Sequence, residues 1–481
     1  MEQDFRRIAE RAGQWIDAHK EEFITEIQLL ARIPSVSRPD LAAPNAPFGP
    51  DCRRVLDHML ERGRSYGFDT QDLDGYAGVI SMGDTRSAIG IAAHLDVVPV
   101  GDGWIYPPFE ATYLKESDAL IGRGVDDNKS AAVMGLFVMR MLREWQVPMR
   151  HGVCLYCGTS EENGMHDMKA LAARGHAFPQ VTLVPDAAFP VNYGQKGMLR
   201  GEIEARADGN LRSFEAGRAL NIIPDEAVCV VETDASEAIE RLGRLPEDLR
   251  GRITAEPADG GVRIAAAGRS GHAAHPERGI NAIHLLARAL TEAELLTGSA
   301  RDAAAGLCLL SRDANGISEG ADFEDELSGK LTLVYSTVKL QEGMLRVGLD
   351  CRYPITCKAP DLQAKLGRAW SALGFSHGDL QVSEPYYVPK DSPYVKALQQ
   401  VYHSVTGREE EPYTMGGGTY SRAIPNAISF GQGMPGENRV GTFLPEGHGG
   451  AHGRDEALPM EKVYDCARIY AAALVALDAL K

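Results

Sequence analysis

Along this chain, hydrophobic residues recur in some segments at the spacing of an α-helix and in others as the short apolar or alternating runs of β-strands. Residues 2–31 carry apolar side chains at helical spacing, which predicts a long amphipathic helix. Further helices are predicted over Asp51–Tyr66 and Pro459–Leu480. Between Val79 and Leu199, short apolar runs alternate with helical patterns, which is typical of an α/β layer domain.

The pattern changes after residue 197. From there to about residue 380 the predicted strands are shorter and alternate between apolar and polar residues, with two helical runs among them. From about residue 390 the α/β pattern returns. We therefore predict an α/β fold with a discontinuous first domain, residues 1–197 and 385–481, whose mostly parallel sheet is flanked by helices. Residues 198–384 would form an inserted α+β domain, and its acidic stretch 312–329 would be an exposed loop.

Composition and charge narrow the class of protein. A chain of 481 residues is too long for one ordinary core, which agrees with two domains. The formal net charge of −17 argues against nucleic-acid binding, because phosphates attract a basic surface. The N-terminus has no apolar export segment, and no stretch approaches the roughly 18 apolar residues of a membrane span. We therefore expect a cytoplasmic protein without a membrane partner, whose eight cysteines are reduced thiols.

Histidines and carboxylates follow several of the predicted strands. His94 and Asp96 end the apolar run Ile89–Ala93, and alternate residues of a strand point the same way. A carboxylate beside an imidazole orients the ring and raises its basicity towards a metal. The other clusters are GRGVDDNK (122–129), GTSEEN (158–163), Pro185–Asp186 and AHGRDE (451–456). Such groups at the carboxyl ends of strands predict a hydrolytic metal site.

Six motifs, taken in order, resemble those of the M20 metallopeptidases. They are HLDVVPVGDGW, GRGVDDNKS, TSEEN, VPDAAF, GRSGHAAHPERGINA and AHGRDE. The resemblance extends from about Ile33 to Glu456, and within the family LDCRYP (349–354) and GGGTYSR (416–422) are most similar to the PepV-type dipeptidases. It implies that the first domain is catalytic and that the inserted domain is a lid. The expected reaction is metal-dependent hydrolysis of short peptides, with dipeptides as the expected substrates.

The resemblance also implies a site for two divalent metal ions, with zinc expected and manganese or cobalt as alternatives. The implied metal ligands are His94, Asp127, Glu162, Asp186 and His452. In the family pattern Asp127 would bridge the ions, with His94 and Asp186 on one of them. Glu162 and His452 would bind the other.

Two further carboxylates receive roles from the same resemblance. Asp96 would orient His94, and Glu161 would be the general base towards a metal-bridged hydroxide. By composition Asp126 could replace Asp127 as a ligand, and His448 could compete with His452. Motif spacing favours Asp127, and the AHGRDE context favours His452.

The remaining implied functional residues lie in the lid and in a late loop. His272 would polarise the scissile carbonyl, whereas the nearby His275 is interpreted as a surface residue. Asn221 would contact the substrate, and Arg352 would hold its terminal carboxylate with a planar fork of donors. Backbone N–H groups for the same carboxylate would come from the loop residues Gly417, Gly418 and Thr419.

Two other functions remain open at this point. A deacylase of the same superfamily, a deacetylase or desuccinylase acting on N-acyl amino acids, would use the same metal chemistry and differ in the lid pocket. A non-catalytic metal-binding scaffold is the other alternative, but Glu161 and every implied ligand are present. We expect a small peptide substrate, no nucleic-acid or membrane partner, and either a monomer or a homodimer.

Overall fold

The helical periods of the sequence correspond to helices whose bounds lie close to those predicted. The structure, a computed structural model, describes residues 2–437 and 440–480. Within these residues the α-helices are α1 (Glu2–Ala31), α2 (Pro50–Ser65), α3 (Lys129–Glu144), α4 (His166–Ala173), α5 (Ala235–Gly243), α6 (Glu247–Arg250), α7 (Ala282–Glu292), α8 (Gly298–Leu310), α9 (Ala359–Ala372), α10 (Pro393–Thr406) and α11 (Met460–Asp478). Helix α10 illustrates the local rules: Ser392 accepts a hydrogen bond from the Val395 N–H at its start, and Gly407 ends it with a φ of 69°.

The strands are more numerous and many are short. In chain order they are β1 (Asp69–Leu73), β2 (Ala77–Met82), β3 (Ala88–His94), β4 (Thr112–Leu114), β5 (Ala119–Ile121), β6 (Gly152–Gly158), β7 (Val181–Val184), β8 (Ala187–Ala188), β9 (Asn192–Gln195), β10 (Gly197–Arg206), β11 (Leu211–Ala216), β12 (Ile222–Ile223), β13 (Glu226–Val231), β14 (Ile253–Ala258), β15 (Gly261–Ala267), β16 (Gly271–His272), β17 (Glu324–Asp325), β18 (Gly329–Lys330), β19 (Thr332–Gln341), β20 (Met344–Tyr353), β21 (Ser376–His377), β22 (Gln381–Ser383), β23 (Tyr386–Tyr387), β24 (Tyr413–Met415), β25 (Ala427–Ser429), β26 (Gln432–Gly433) and β27 (Ala457–Pro459).

The described chain divides into two compact units. The first comprises the residues up to Gly194, Tyr387–Tyr413 and those from Gly418 onward; the second comprises Gln195–Tyr386 and Thr414–Gly417. These bounds differ from the predicted ones by a few residues at each junction and by the short piece Thr414–Gly417. None of the described helices is both long and apolar enough to cross a membrane.

The first unit is an α/β layer structure. Its main sheet has the strand order β1-β2-β6-β3-β7-β25-β9. The central strands β6, β3, β7 and β25 are parallel, and the flanking pairs are antiparallel. Every residue of β3, β6 and β7 is buried, as expected for strands covered by helices on both faces. The mostly parallel character of the prediction therefore applies to the centre of the sheet, where the candidate site lies.

The second unit is built on an antiparallel sheet with the order β14-β15-β13-β11-β19-β20-β10-β21. One face packs against helices, with Leu286 of α7, Leu307 of α8 and Trp370 of α9 in its core. Strands β10, β19 and β20 are each ten residues long, so the expectation of shorter strands in this region was wrong for them. Alternation of apolar and polar residues suggested short strands, but a sheet with one helix-covered face preserves that alternation over any length.

The stretch 312–329 is mostly loop, as predicted, but it is not exposed throughout. Glu319 is buried, and its carboxylate accepts a hydrogen bond of 2.7 Å from the Tyr335 hydroxyl. That hydroxyl in turn accepts one of 2.9 Å from the Trp370 indole N–H. Burial raises the pKa of Glu319 to about 7. The acidic composition suggested solvent exposure, whereas this carboxylate has an internal partner that the sequence pattern does not reveal.

Candidate metal centre

The order of the central strands determines which side chains meet. Strand β3 lies between β6 and β7 and is parallel to both, so the carboxyl ends of all three lie at one edge of the sheet. His94 is the last residue of β3 and pairs with Gly158, the last residue of β6. The segment containing Glu161 and Glu162 follows β6, and Asp186 follows β7.

These residues form two groups of possible metal ligands that share Asp127. In the first, His94 Nε2 lies 3.0 Å from Asp127 Oδ1 and 3.9 Å from Asp186 Oδ2. In the second, His452 Nε2 lies 3.1 Å from Asp127 Oδ2 and 2.8 Å from Glu162 Oε1. Within each group the ligand atoms all lie within 4.8 Å of one another. The five side chains proposed as ligands from the sequence are therefore brought together.

The two residues that competed for these positions have other partners. Asp126 Oδ1 accepts a hydrogen bond of 2.5 Å from the Lys462 ammonium group. His448 Nδ1 is hydrogen-bonded to the buried Asp455 carboxylate, which also accepts the backbone N–H groups of residues 105 and 106. His448 thus helps to anchor its own loop, and Asp126 belongs to a partly buried ion pair with Lys462.

The electrostatics of the cluster favour a bound cation. Burial, reinforced by neighbouring carboxylates, raises the pKa of Glu161 and of Asp186 well above the ordinary range. Burial opposes the charge on His94, yet hydrogen bonds to Asp127 and Asp96 raise its pKa well above the usual value. Hydrogen bonds to Asp127 and Glu162 raise the pKa of His452 to about 11. Protons on the histidines thus compensate the carboxylates, and divalent ions bound at these ligands would displace them.

The Glu161 carboxylate has one oxygen that lacks a hydrogen-bond partner among the described residues. The Oε1 atom of Glu161 is buried and accepts no hydrogen bond from any described residue. A buried carboxylate oxygen without a donor is costly. Its position beside the ligand groups fits a role towards a water or substrate atom, and the mixed oxygen and imidazole donor set fits divalent ions.

Asp96 does more than the sequence suggested. His94 Nδ1 is 3.0 Å from the Asp96 main-chain oxygen and 3.5 Å from its carboxylate. The same carboxylate accepts the backbone N–H groups of Glu161 and Glu162, each at 3.0 Å. Asp96 therefore connects the His94 ligand to the segment that carries the proposed base, in addition to contacting the histidine ring.

Glu456 supports Asp127, a role that sequence reasoning missed. Its Oε1 accepts the backbone N–H groups of Gly124, Asp126 and Asp127, each at 3.0 Å. Its Oε2 accepts a hydrogen bond of 2.6 Å from the buried Arg123 guanidinium. One carboxylate thus holds the whole turn that presents Asp127. The only sequence signal was the acidic end of the AHGRDE motif.

Asp167 was also missed, and it supports the segment after β6. Its Oδ2 accepts the backbone N–H groups of Thr159 at 2.7 Å and Ser160 at 2.9 Å, and the Tyr420 hydroxyl donates to the same oxygen. A Cβ atom at Gly158 would lie 2.5 Å from that oxygen and 1.9 Å from the Tyr420 hydroxyl. Glycine is therefore required there for the carboxylate and the phenol to approach the strand end.

The proposed lid residues lie in the second unit, where His272 of β16 pairs with Ile222 of β12. Asn221 directly precedes β12, and its carbonyl accepts the Ala273 N–H at 2.9 Å. The Ala274 N–H lies 3.1 Å from His272 Nδ1, which as acceptor leaves the ring proton on Nε2. The His272 residue is exposed, but partial desolvation of its ring lowers its pKa, and the Arg352 cation lowers it further. His272 is therefore a neutral imidazole with an Nε2–H to donate.

Arg352 is already engaged in the second unit. Its Nε donates to Asp350 Oδ1 at 2.6 Å, its Nη2 to Asp350 Oδ2 at 2.9 Å, and its Nη1 to the Gly416 carbonyl at 2.9 Å. Its side chain is only 5% exposed. In the first unit, the Thr419 hydroxyl hydrogen-bonds with Ser429 Oγ at 2.9 Å. The substrate roles of Arg352, Gly417, Gly418 and Thr419 stay predictions.

Comparison with known proteins identifies the family. The sequence model described as peptidase family M20/M25/M40 matches residues 90–476, most of the chain. The chain belongs to this family. The resemblance seen in the six motifs is thereby confirmed, and as an M20 peptidase the chain is a hydrolase.

Relatives and solved structures agree with this assignment. The M20 chain is 32% identical over 471 residues to "Putative dipeptidase YtjP" of Bacillus subtilis (strain 168), covering 95% of this chain and 97% of the relative. It is 28% identical over 475 residues to a "Putative dipeptidase" of Staphylococcus epidermidis, covering 95% and 97%. The fold is similar to that of the di-peptidase Dug1p from Saccharomyces cerevisiae, with a TM-score of 0.60, 12% identity and coverage of 98% and 99%. Human carnosine dipeptidase 1 gives a TM-score of 0.59, 15% identity and coverage of 98% and 99%.

Proposed function

We propose that this chain is a metal-dependent dipeptidase. The observation that carries the proposal is the pair of ligand groups that share Asp127, placed at the carboxyl edge of a parallel sheet. Full-length relatives that bear the name dipeptidase support the substrate class. A dipeptide also offers the free carboxylate that an arginine in the second unit would bind.

The five ligands would divide between two ions. His94 and Asp186 would hold one ion, Glu162 and His452 the other, and Asp127 both. When bound, divalent ions lower the pKa of water and polarise a carbonyl oxygen. The mixture of carboxylate and imidazole donors suits zinc, with manganese and cobalt as the alternatives.

The remaining steps belong to side chains of this chain. The Glu161 carboxylate, held by the Asp96 contact to its backbone N–H, would take the proton of the attacking water and return it to the leaving amine. The neutral His272 would donate its Nε2–H to the carbonyl oxygen as negative charge develops there. Asn221 and Arg352 would bind the parts of the substrate that do not react.

The rival activity is removal of an acyl group from an N-acyl amino acid, and it is not favoured by the names of the relatives. The test is an assay of metal-loaded protein on a panel of dipeptides beside N-acetyl and N-succinyl amino acids. We expect kcat/KM to be highest on dipeptides. Preferred turnover of an acylated amino acid would overturn the proposal, and turnover of none of them would argue for the non-catalytic scaffold.

A further inference from the structure

A second arginine shares the Asp350 carboxylate with Arg352. Arg200 of β10 lies directly opposite Asp350 of β20 in the sheet register, and its Nε donates to Asp350 Oδ2 at 2.6 Å. Arg352, two residues further along β20, donates to both oxygens of the same carboxylate through Nε and Nη2. All three side chains lie on the sheet face opposite the helix-packed core, because register partners and alternate residues share a face.

The charges in this cluster do not balance. The single carboxylate of Asp350 is fully buried, and two guanidinium groups surround it, which leaves one positive charge in excess. The cluster lies close enough to His272 to act on its pKa: after the larger effect of desolvation, Arg352 and Arg200 lower the pKa and Asp350 raises it. A partly desolvated positive charge favours an anionic ligand.

The two arginines differ in which donors remain available. Arg352 uses Nε and both Nη atoms in hydrogen bonds, and its side chain is 5% exposed. Arg200 is 27% exposed, and in the described part of the chain only its Nε donates a hydrogen bond. The Nη1 and Nη2 atoms of a guanidinium form the fork that binds a carboxylate with two parallel hydrogen bonds. Arg200 therefore presents the more accessible fork.

We propose that Arg200 binds a carboxylate on the C-terminal residue of the substrate, with Asp350 holding both guanidinium groups in position. This inference rests on the proposed dipeptidase function and adds a specificity-determining residue to it. The carboxylate is either the terminal one or that of an acidic side chain. The two share the same chemistry, and the experiment separates them.

The experiment compares the metal-loaded, full-length protein with its Arg200→Met variant on four substrates. Ala-Ala and its C-terminal amide test the terminal carboxylate, and Ala-Glu and Ala-Gln test the side chain. We expect kcat/KM to fall about tenfold to a hundredfold, mainly through KM, for whichever carboxylate Arg200 binds. The matched substrate without that carboxylate should change little. If Arg200→Met prefers Ala-Ala over its amide less strongly than the unaltered protein does, Arg200 binds the terminal carboxylate. If it prefers Ala-Glu over Ala-Gln less strongly, Arg200 binds the side-chain carboxylate.

A matched control lies on the neighbouring strand, on the same face of the sheet. Arg346 of β20 is 43% exposed and lies beside Glu204 rather than Asp350, so Arg346→Met removes a sheet arginine without touching the cluster. It should leave both preferences as in the unaltered protein. Thermal unfolding and metal content, measured on each variant, verify that Arg200→Met is folded and loaded.

The possible results are distinguishable. If Arg200→Met is folded and retains both preferences, the inference about Arg200 is overturned while the dipeptidase proposal stands. If the unaltered protein hydrolyses no dipeptide, the proposed function fails and the inference fails with it. Arg200→Lys should recover only part of the loss, because an ammonium group retains the charge but lacks the fork.

Discussion

The two units of this molecule each carry a cluster in which side chains of one charge type outnumber the others, with carboxylates in excess in the first unit and guanidinium groups in the second. In the first unit, the carboxylates around Asp127 outnumber the two histidines beside them. In the second, two guanidinium groups surround the single carboxylate of Asp350. A cluster with excess negative charge favours a bound cation, and one with excess positive charge favours an anion. A metal-dependent dipeptidase needs both, because metal ions act at the scissile bond and the substrate carries a free carboxylate.

The histidines of the two clusters show the same contrast. His94 is buried, and hydrogen bonds to carboxylates raise its pKa despite that burial. His272 has a lowered pKa because of partial desolvation and the nearby arginines. The first environment favours a positive group on the imidazole, either a proton or a metal ion, whereas the second favours a neutral ring that donates one hydrogen bond. Similar side chains thus acquire different chemistry from the net charge around them.

Removal of metal is expected to have the largest effect. Chelation should abolish hydrolysis, and adding zinc, manganese or cobalt should restore it. The proposed reaction depends on a divalent ion to lower the pKa of the attacking water and to polarise the scissile carbonyl. The measurement is turnover together with elemental analysis before and after chelation. Full turnover by protein verified to be metal-free would contradict the assignment of the first unit.

Two histidine variants sharpen the same test. His452→Ala should lose metal, because its Nε2 contacts both Asp127 and Glu162. His448→Ala should retain metal, since that ring contacts Asp455 instead. The reverse pattern would mean that the ligand is His448.

Loss of the proposed general base is expected to have the second largest effect on turnover. Glu161→Gln preserves shape but removes the proton acceptor, so kcat should fall between about a hundredfold and ten-thousandfold. Metal content should stay at the level of the unaltered protein, because Glu161 belongs to neither ligand group. Near-normal turnover would leave the buried, unpartnered Oε1 without its proposed role.

The neutral histidine of the second unit offers a comparable test of catalysis without metal. His272→Ala should lower kcat by about a hundredfold to a thousandfold and change KM less, since an oxyanion donor acts mainly in the transition state. His275→Ala is the matched control, because His275 is exposed and pairs loosely with Glu277. Equal losses in the two variants would point to a structural effect of this segment.

The carboxylate that supports Asp127 should give a smaller effect. In Glu456→Gln the amide oxygen could still accept the three backbone N–H groups, but the amide NH2 would face the Arg123 guanidinium. Metal affinity should fall about tenfold to a hundredfold, the usual range for a residue that orients a ligand. Glu446→Gln, an exposed residue in the same loop, is the control. Unchanged affinity in Glu456→Gln would show that the turn holds Asp127 by itself.

The contrast between ligands and their supports also explains what the sequence could predict. His94 and Asp186 lie at or just after the ends of apolar strands, so strand ends already marked them as candidates, and the family resemblance supplied the full set of proposed ligands. The contacts of Glu456 with residues 124–127 join positions about 330 residues apart, and no local pattern encodes them. Arg352 and Asp350 are only two residues apart in sequence, but the ion pair between them depends on the directions of their side chains on the strand. Contacts between distant residues and the directions of side chains therefore could not be predicted from the sequence.

The smallest expected effect separates charge from shape in the positive cluster. In Arg352→Met the cation near His272 is lost while the partial desolvation of the imidazole remains, and desolvation is the larger cause of its lowered pKa. The pKa of His272 should therefore rise only part of the way to its ordinary value of about 6.5. In Arg352→Lys the positive charge stays, so the pKa should remain low; if Arg352 itself binds the terminal carboxylate, as the family resemblance implies, the preference for a free C-terminus should weaken because the planar fork is gone. An NMR titration of the His272 ring, set beside kcat/KM for free and amidated dipeptides, measures both properties on each variant. If the lysine variant changed the pKa as much as the methionine variant does, contact rather than charge would govern this histidine, and the electrostatic contrast between the two units would lose its support on the positive side.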